Sequence, residues 1–252
     1  GRFLGLQQAI EQGLRMAAEG ADLIDIGGES TRPGAPQVSE QEELDRVIPV
    51  VEKLGREVGL PLSIDTSKSV VAREAVPAGA DFVNDVSGLT FDTEMAGMVA
   101  DSGAGLIIMH TRGRPEVMQQ DTRYADLFAE VVASLNSSIE VAVSAGIVIG
   151  KIAIDPGIGF GKDVAGNLEL LRRTADLVDL GRPVMLGTSR KSFIGRVLGK
   201  DDPAGRLAGT LATVALGYAG GARLFRVHDV AAAREAARMA QAVCKGAEWV
   251  GH

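Results

Sequence analysis

Aromatic side chains make up only 4% of the 252 residues, with a single tryptophan among them. The core must therefore be aliphatic, drawn from the abundant Ala, Val, Leu, Ile and Gly, a composition that suits helices packed on a parallel sheet. Cysteine is nearly absent as well. Cys244 has no second cysteine to pair with, which excludes an internal disulfide and leads us to expect a reducing, cytoplasmic setting. No Cys-x-x-Cys occurs, and His110, His228 and His252 lack the spacing of a zinc site. Positive charge is in deficit. A net charge of −7 argues against nucleic acid or a membrane surface as partner, since both want a basic face. No charged-then-apolar leader opens the chain and no apolar run reaches about 18 residues, so neither a targeting segment nor a membrane span is expected. The Gly-x-Ser-x-Gly elbow of serine hydrolases is also missing, and Ser189 and Ser192 have no neighbour that would make them nucleophiles.

What is present is organised around Lys151–Lys162, KIAIDPGIGFGK. Ile152 and Ile154 alternate with Ala153 and Asp155, the period of a strand with one apolar face. Pro156 ends the ladder because it has no N–H to donate. Gly157, Gly159 and Gly161 then supply a loop free to take positive φ and to let a ligand approach the backbone. The glycines do not make a nucleotide site. A P-loop needs Gly at Pro156 and Ser or Thr at Asp163, and the dinucleotide fingerprint needs Gly at Lys162. Asp155, at the end of this strand, is either a hook for a ligand or a cap for the loop behind it.

The same arrangement recurs along the chain. An opening helix runs over Gly1–Gly20, and strands follow that end near Asp25–Gly28, at Asp65, at Asn84–Asp85, at Met109–His110, at Asp155, at Ser189–Lys191 and at Arg226–His228. Helices are predicted between them: from a capping box at Ser39 and Glu42 to about Val58, then Ser67–Ala78, Thr93–Ser102, Tyr124–Ala145, Leu168–Val178, Ser192–Leu198, Ala204–Ala219 and Ala231–Lys245. Seven strand-then-helix units with no linker between them imply one domain over residues 1–252, a parallel sheet and right-handed crossovers. Eight such units close a (β/α)8 barrel, the α/β TIM barrel. Seven are readable here, so a first strand is expected upstream of Gly1, with an open seven-stranded sheet as the alternative.

In such a barrel the site lies at the carboxyl ends of the strands, and nearly every strand here ends in a polar residue. Singly, each has a bland explanation: Asp65 before Thr66–Ser67 can cap a helix, Arg226 can pair with Asp229, and His110 reads as a packed strand-end residue. Together they describe a mouth with two halves. Ser63 and Asp65 share one face, as do Ala153 and Asp155, and Met185 and Gly187, leaving a slot with carboxylates and an amide suited to a flat ring bearing an N–H beside an NH₂. The other half is cationic. Arg190 and Lys191 precede a short helix, Arg226 and His228 lie two apart and are expected to point the same way, and Arg32 stands in a loop able to fold over the mouth. That set suggests a phosphate or pyrophosphate site.

DIGGESTRPGA (Asp25–Ala35), SIDTSK (Ser63–Lys68), VNDVSG (Val83–Gly88), DPGIGFGK (Asp155–Lys162), GTSRKSFIG (Gly187–Gly195) and RVHDV (Arg226–Val230) resemble the dihydropteroate synthase family, in order and over almost the whole chain. The resemblance implies an eight-stranded barrel, usually a homodimer and a target of sulfonamides, that condenses 6-hydroxymethyl-7,8-dihydropterin pyrophosphate with p-aminobenzoate by an SN1-like displacement. It implies that Asp65, Asn84, Asp155 and Lys191 hold the pterin, with Asp25 in the same pocket and Met109 packing on the ring. Arg226 and His228 match the pyrophosphate pair, so that Lys191, Arg226 and His228 carry the catalysis. Thr31, Arg32 and Pro33, with Phe160 and Ser192, match the surroundings of p-aminobenzoate. A Mg²⁺ cofactor is implied too, but its Asn ligand belongs to the first strand and no metal ligand can be named in these residues. Two alternatives remain at this point: a methyltetrahydrofolate–corrinoid methyltransferase, and a pterin-binding remnant without activity.

Overall fold

Short runs of alternating aliphatic and small or polar residues, each closed by Gly, Pro or a polar turn, build seven parallel strands. The computed structural model of the chain describes residues 5–251. Its strands are β1 (Ile24–Gly27), β2 (Leu62–Asp65), β3 (Phe82–Asp85), β4 (Gly105–Met109), β5 (Ile152–Asp155), β6 (Met185–Leu186) and β7 (Leu224–Phe225). β1 to β5 lie side by side in chain order, and β6 pairs with β7. The two sheets meet where Ile154 bridges to Val184 and its N–H donates to Pro183 O at 2.9 Å. Strand order, direction and the helix after each strand are those of a TIM barrel. Among the described residues no ladder joins β7 to β1, so the wall is open at that seam.

Among the described residues ten α-helices surround the strands: α1 (Leu6–Ala18), α2 (Glu40–Glu57), α3 (Ser69–Ala78), α4 (Met95–Ser102), α5 (Leu127–Ser144), α6 (Val164–Arg172), α7 (Thr174–Val178), α8 (Ser192–Leu198), α9 (Leu207–Ala219) and α10 (Val230–Lys245). Residues 1–4 of the expected first helix, and His252, lie outside the described residues. Ser39 caps α2 by accepting from Glu42 N at 3.2 Å. The Glu42 carboxylate turns to Arg46 instead of completing the box. The helix expected over Leu168–Val178 is two helices. Thr174 Oγ1 donates to Leu171 O at 2.8 Å, competing with the backbone ladder, and the chain leaves helical geometry at Arg173.

Strands β6 and β7 are shorter than their sequences suggested. After Leu186 the chain turns, with Lys191 N donating to Thr188 O at 3.1 Å, so Ser189–Lys191 is a turn into α8. Arg226 N makes the last ladder bond of β7, to Leu186 O at 3.1 Å. His228 therefore lies beyond the strand, and the two side chains do not point the same way.

The main core lies between strands and helices. Leu62, Ile64, Leu106, Ile108, Ile152 and Ile154 are fully buried there, each contributing about 1.5–3 kcal/mol relative to exposure. The alternate residues face inward, where Ile107, Ala153 and Met185 form a small cluster of their own. α5 has a mean hydropathy of 1.3 over 18 residues and meets the length and composition of a membrane span. Glu130 and Glu140, with serines and an asparagine, keep it from being an unbroken apolar run. Its buried face, including Val131 and Leu135, packs on β4, the placement of a core helix. Ile154→Ala is expected to lower the free energy of unfolding by about 2–5 kcal/mol and Ile154→Val by about 0.5–1.5 kcal/mol in urea titrations. Equal losses would place Ile154 outside the packed layer.

Candidate active site

The strand ends converge on one guanidinium. Arg226, leaving β7, donates from Nε to Asp25 Oδ2 at 2.5 Å and from Nη2 to Asp65 Oδ2 at 2.6 Å. Asn84 Nδ2 donates to the same Asp25 oxygen at 3.2 Å. Register explains the meeting, since Gly27 is opposite Asp65 and Asp65 opposite Asn84, so the polar ends of β1, β2 and β3 share a level. Asp85, beside Asn84, turns away and accepts the N–H groups of Ser87 and Leu89 at 2.8 and 2.7 Å. The bland pairing of Arg226 with Asp229 does not occur. Arg190 takes Asp229 instead, with Nε to Oδ2 at 2.9 Å.

Gly187 brings the second half of the site to the same point. A methyl carbon placed there would lie 3.8 Å from Asp155 Oδ2 and 3.9 Å from both Arg226 Cβ and Lys191 Nζ. These are ordinary contact distances, so Gly187 marks the point where the three groups meet rather than a position that excludes a side chain. Lys191 Nζ also donates to Ile158 O and lies 4.6 Å above the Phe160 ring. Phe160 belongs to a small apolar cluster with Met109 and Met118. Asp25, Asp65, Asn84, Met109, Asp155, Phe160, Lys191 and Arg226 are thus gathered at one mouth.

Burial dominates the electrostatics. Desolvation pushes Asp65 up to about 7 despite Arg226, with the charges of Asp25, Glu43 and Asp85 adding to the rise. Asp155 is raised by burial as well, against Lys191 and the Gly157 N–H that its Oδ1 accepts at 2.7 Å. Burial lowers Lys191 to about 8, with Asp155 opposing the shift and Arg226 adding to it. Four buried oxygens here, Asp25 Oδ1, Ser63 Oγ, Asp65 Oδ1 and Asn84 Oδ1, have no hydrogen-bond partner. Such atoms each cost about 1–3 kcal/mol when left unpaired, so their clustering marks a surface built for a polar ligand.

The remaining predicted residues lie at the rim. Arg32 and Pro33 are exposed, and Thr31 is half-buried beside Asp65 in a small cavity that also touches Glu29, Phe91 and Arg114. The loop is fastened across the mouth by Gly34 N to Pro115 O at 3.0 Å. Ser192 is exposed at the start of α8. His228, also exposed, turns to Ser189 rather than to Arg226.

Sequence reasoning missed two lysines. Lys68 bridges Glu29 and the buried Glu43, which hold it above the ordinary lysine range despite its part burial. Lys162, almost fully buried, donates to Gly157 O at 2.9 Å and Phe160 O at 2.8 Å and meets His110 Nδ1 at 2.9 Å. Around it Gly157, Gly159 and Gly161 take φ of 71°, 84° and 63°, the positive values expected of that loop. Burial, helped by Lys162, lowers His110 to about 3, which agrees with its reading as a packed residue. Lysines ending the motifs SIDTSK and DPGIGFGK were the available signal.

Comparison with known proteins gives a consistent result. The description "Pterin binding enzyme" matches residues 1–228. A dihydropteroate synthase of Synechocystis sp. is 46% identical over 243 residues, covering 96% of this chain and 84% of that protein. The structure of the Yersinia pestis dihydropteroate synthase with a sulfonamide drug superposes with a TM-score of 0.93 at 42% identity, covering 96% of this chain and 87% of that one. That of the Xanthomonas albilineans dihydropteroate synthase with 4-aminobenzoic acid gives 0.90 at 47% identity, covering 94% and 85%.

The raised Asp65 has a measurable consequence. Between the unfolded value of 3.8 and the folded value of about 7 the folded chain keeps a proton that the unfolded chain releases, so this group makes stability fall as pH rises through that window. The unfolding free energy of the protein minus that of Asp65→Asn is expected to decline from pH 4 to pH 7 and then level off, in urea titrations at stepped pH. A difference that rises with pH would mean Asp65 is an ordinary salt-bridged carboxylate.

Proposed function

The chain belongs to the dihydropteroate synthase family of pterin-binding enzymes, and from that membership we propose how its strand ends divide the work of the reaction. The reaction joins p-aminobenzoate to 6-hydroxymethyl-7,8-dihydropterin pyrophosphate, giving 7,8-dihydropteroate and pyrophosphate in folate biosynthesis. One observation carries the assignment to this mouth: Asp25, Asp65 and Asn84 close on Arg226 while keeping buried oxygens unpartnered. A ring with adjacent N–H and NH₂ groups supplies the donors those oxygens lack.

In this reading Asp65, Asn84, Asp155 and Lys191 hold the pterin, with Asp25 beside them and Met109 against its face. Arg226 has five N–H donors and gives two to Asp25 and Asp65, so others remain for the pyrophosphate without breaking either ion pair. His228 is the second pyrophosphate contact. The Thr31–Pro33 loop closes on p-aminobenzoate, which lies near Phe160 and Ser192. The amine of p-aminobenzoate is neutral at pH 7 and needs orientation more than a base. The barrier lies in breaking the C–O bond to pyrophosphate, which favours an SN1-like path in which Arg226 neutralises the departing charge, His228 donates a hydrogen bond to it, and carboxylates face the pterin cation.

No residue present is assigned to the magnesium implied by the family. Among the described residues no group of three or more His, Cys, Asp or Glu side chains is placed to hold a metal ion, and no step is derived through one. For the homodimer implied by the resemblance, Leu216 on α9 and Met239 and Val243 on α10 offer an apolar surface, each more than 60% exposed. The exposed single Cys244 fits the proposed cytoplasmic setting. The relatives named above are synthases, so the corrinoid methyltransferase alternative gains no support.

Two measurements test this reading. Full-length protein incubated with both substrates and Mg²⁺ is expected to release pyrophosphate and form dihydropteroate in equal amounts; ligand binding without either product would leave only a pterin-binding remnant. Asp155→Asn removes a charged acceptor worth about 1.5–3 kcal/mol, so calorimetry should show pterin affinity reduced by about 10- to 100-fold. Unchanged affinity would take Asp155 out of the pterin site.

A further inference from the structure

Two adjacent rungs tie the segment after β6 to the segment after β7. In one, Arg190 pairs with Asp229. In the other, His228 meets Ser189 twice: its backbone N–H donates to Ser189 Oγ at 3.2 Å, and its ring Nδ1 lies 2.9 Å from the same oxygen. Arg190 sits at φ 57°, a left-handed conformation unfavourable for a residue with a side chain. Thr210 Oγ1 accepts Arg190 N at 3.0 Å and Arg206 Nη1 donates to Arg190 O at 3.0 Å, so the strained turn is held from both sides. The turn delivers Ser189, itself buried, to the imidazole.

The hydroxyl of Ser189 has one hydrogen and two lone pairs. One lone pair is taken by the His228 N–H. Among the described residues the only acceptor placed for the hydroxyl hydrogen is His228 Nδ1. Were Nδ1 protonated, it would donate to Oγ, and the buried hydroxyl hydrogen would have no acceptor, a costly arrangement. We propose that Ser189 is a positioning residue that fixes His228 as the tautomer protonated on Nε2, the ring nitrogen with no protein partner among the described residues. Resting on the pyrophosphate role given to His228 above, this leaves the ring with a single N–H donor free for the leaving group.

The charge environment keeps the tautomer question open near neutral pH. Burial lowers His228, Arg190, Arg226 and Arg32 lower it further, and only Asp229 opposes them. The ring is therefore neutral, and an N–H on the wrong nitrogen would present a lone pair to an anion. Asp229 is engaged by Arg190, which keeps it from competing for the ring.

Long-range ¹H–¹⁵N correlation of the imidazole in full-length, ¹⁵N-labelled protein tests this, with the His228 signals assigned by their loss in His228→Gln. The expected spectrum shows Nε2 protonated and Nδ1 bare. Ser189→Ala should mix the tautomers and weaken inorganic pyrophosphate binding by about 3- to 10-fold, the loss of one positioning hydrogen bond, and Ser189→Thr should restore both. A proton on Nδ1 in the unaltered protein, which needs no variant to fold, overturns the inference. So does a Ser189→Ala protein with unchanged tautomer and unchanged pyrophosphate affinity. The assignment of His228 to pyrophosphate is tested apart from this: it fails if His228→Gln binds pyrophosphate as well as the unaltered protein does.

Discussion

Everything at the mouth depends on burying more carboxylate than one guanidinium can satisfy. Arg226 is shared between Asp25 and Asp65, while Asp155 stands on its other side with Lys191. Removal from water raises Asp65 and Asp155 more than their cationic neighbours lower them. Such a cluster does not help the fold, because buried ion pairs seldom recover their desolvation cost and the orphan oxygens recover none of it. The aliphatic layer of Leu62, Ile64, Leu106, Ile108, Ile152 and Ile154 carries the stability, and the inner face is left to the ligand. A cup destabilised when empty binds what completes its hydrogen bonds more tightly.

Two lysines, Lys162 buried and Lys68 half-buried, hold the loops that frame this cup, one on each side. Lys162 gathers Gly157 O, Phe160 O and His110 Nδ1, three acceptors for the three hydrogens of an ammonium, and thereby curls the glycine loop that carries Phe160 to Lys191. Burial lowers it to about 7, with Asp155 opposing, so a carboxylate of the mouth helps keep the strut charged. On the other side Lys68 links Glu29, at the root of the Thr31–Pro33 loop, to Glu43 of α2. Glu29 also accepts Val38 N at 3.2 Å, so the loop is pinned at both ends while Arg32 and Pro33 stay exposed between them. The Gly34 N–H bond to Pro115 O holds the loop between those ends, leaving the exposed side chains of Arg32 and Pro33 as its free groups.

The strand ends were legible because a period of two, stopped by Gly, Pro or a polar turn, places Asp25, Asp65, Asn84 and Asp155 near the ends of their strands. The start of α2 was legible from Ser39, whose side chain accepts a first free N–H, whereas the caps Asp126 of α5 and Asp163 of α6 emerged only in the structure. Reading failed where conformation, not period, decides. β6 and β7 are two residues long, so no alternation tells where Ser189, Arg190 or His228 point. The left-handed turn at Arg190 redirects that residue to Asp229 and frees Arg226 for Asp25 and Asp65, an exchange of partners that spacing alone cannot reveal. Lys68 and Lys162 escaped for another reason: a lysine is ordinarily a solvent-facing residue, and only the distant Glu43 and His110 show that these two are not.

The protonation states of the cup lie close to neutrality on both walls, with Asp65 raised to about 7 and Lys191 lowered to about 8. A ligand donating hydrogen bonds to the unpartnered oxygens favours ionised Asp65, and an ionised Asp155 favours protonated Lys191. In the function proposed above, the pterin therefore drives the cup into the charged state that holds it, and the charges are complete only when it is bound. An enzyme whose chemistry is the departure of an anion from a ring-stabilised cation needs that condition, because a fully charged cup would hold water and ions when empty. The same shallow balance explains why the chain, acidic overall, keeps its few converging cations at the one place where negative charge must leave.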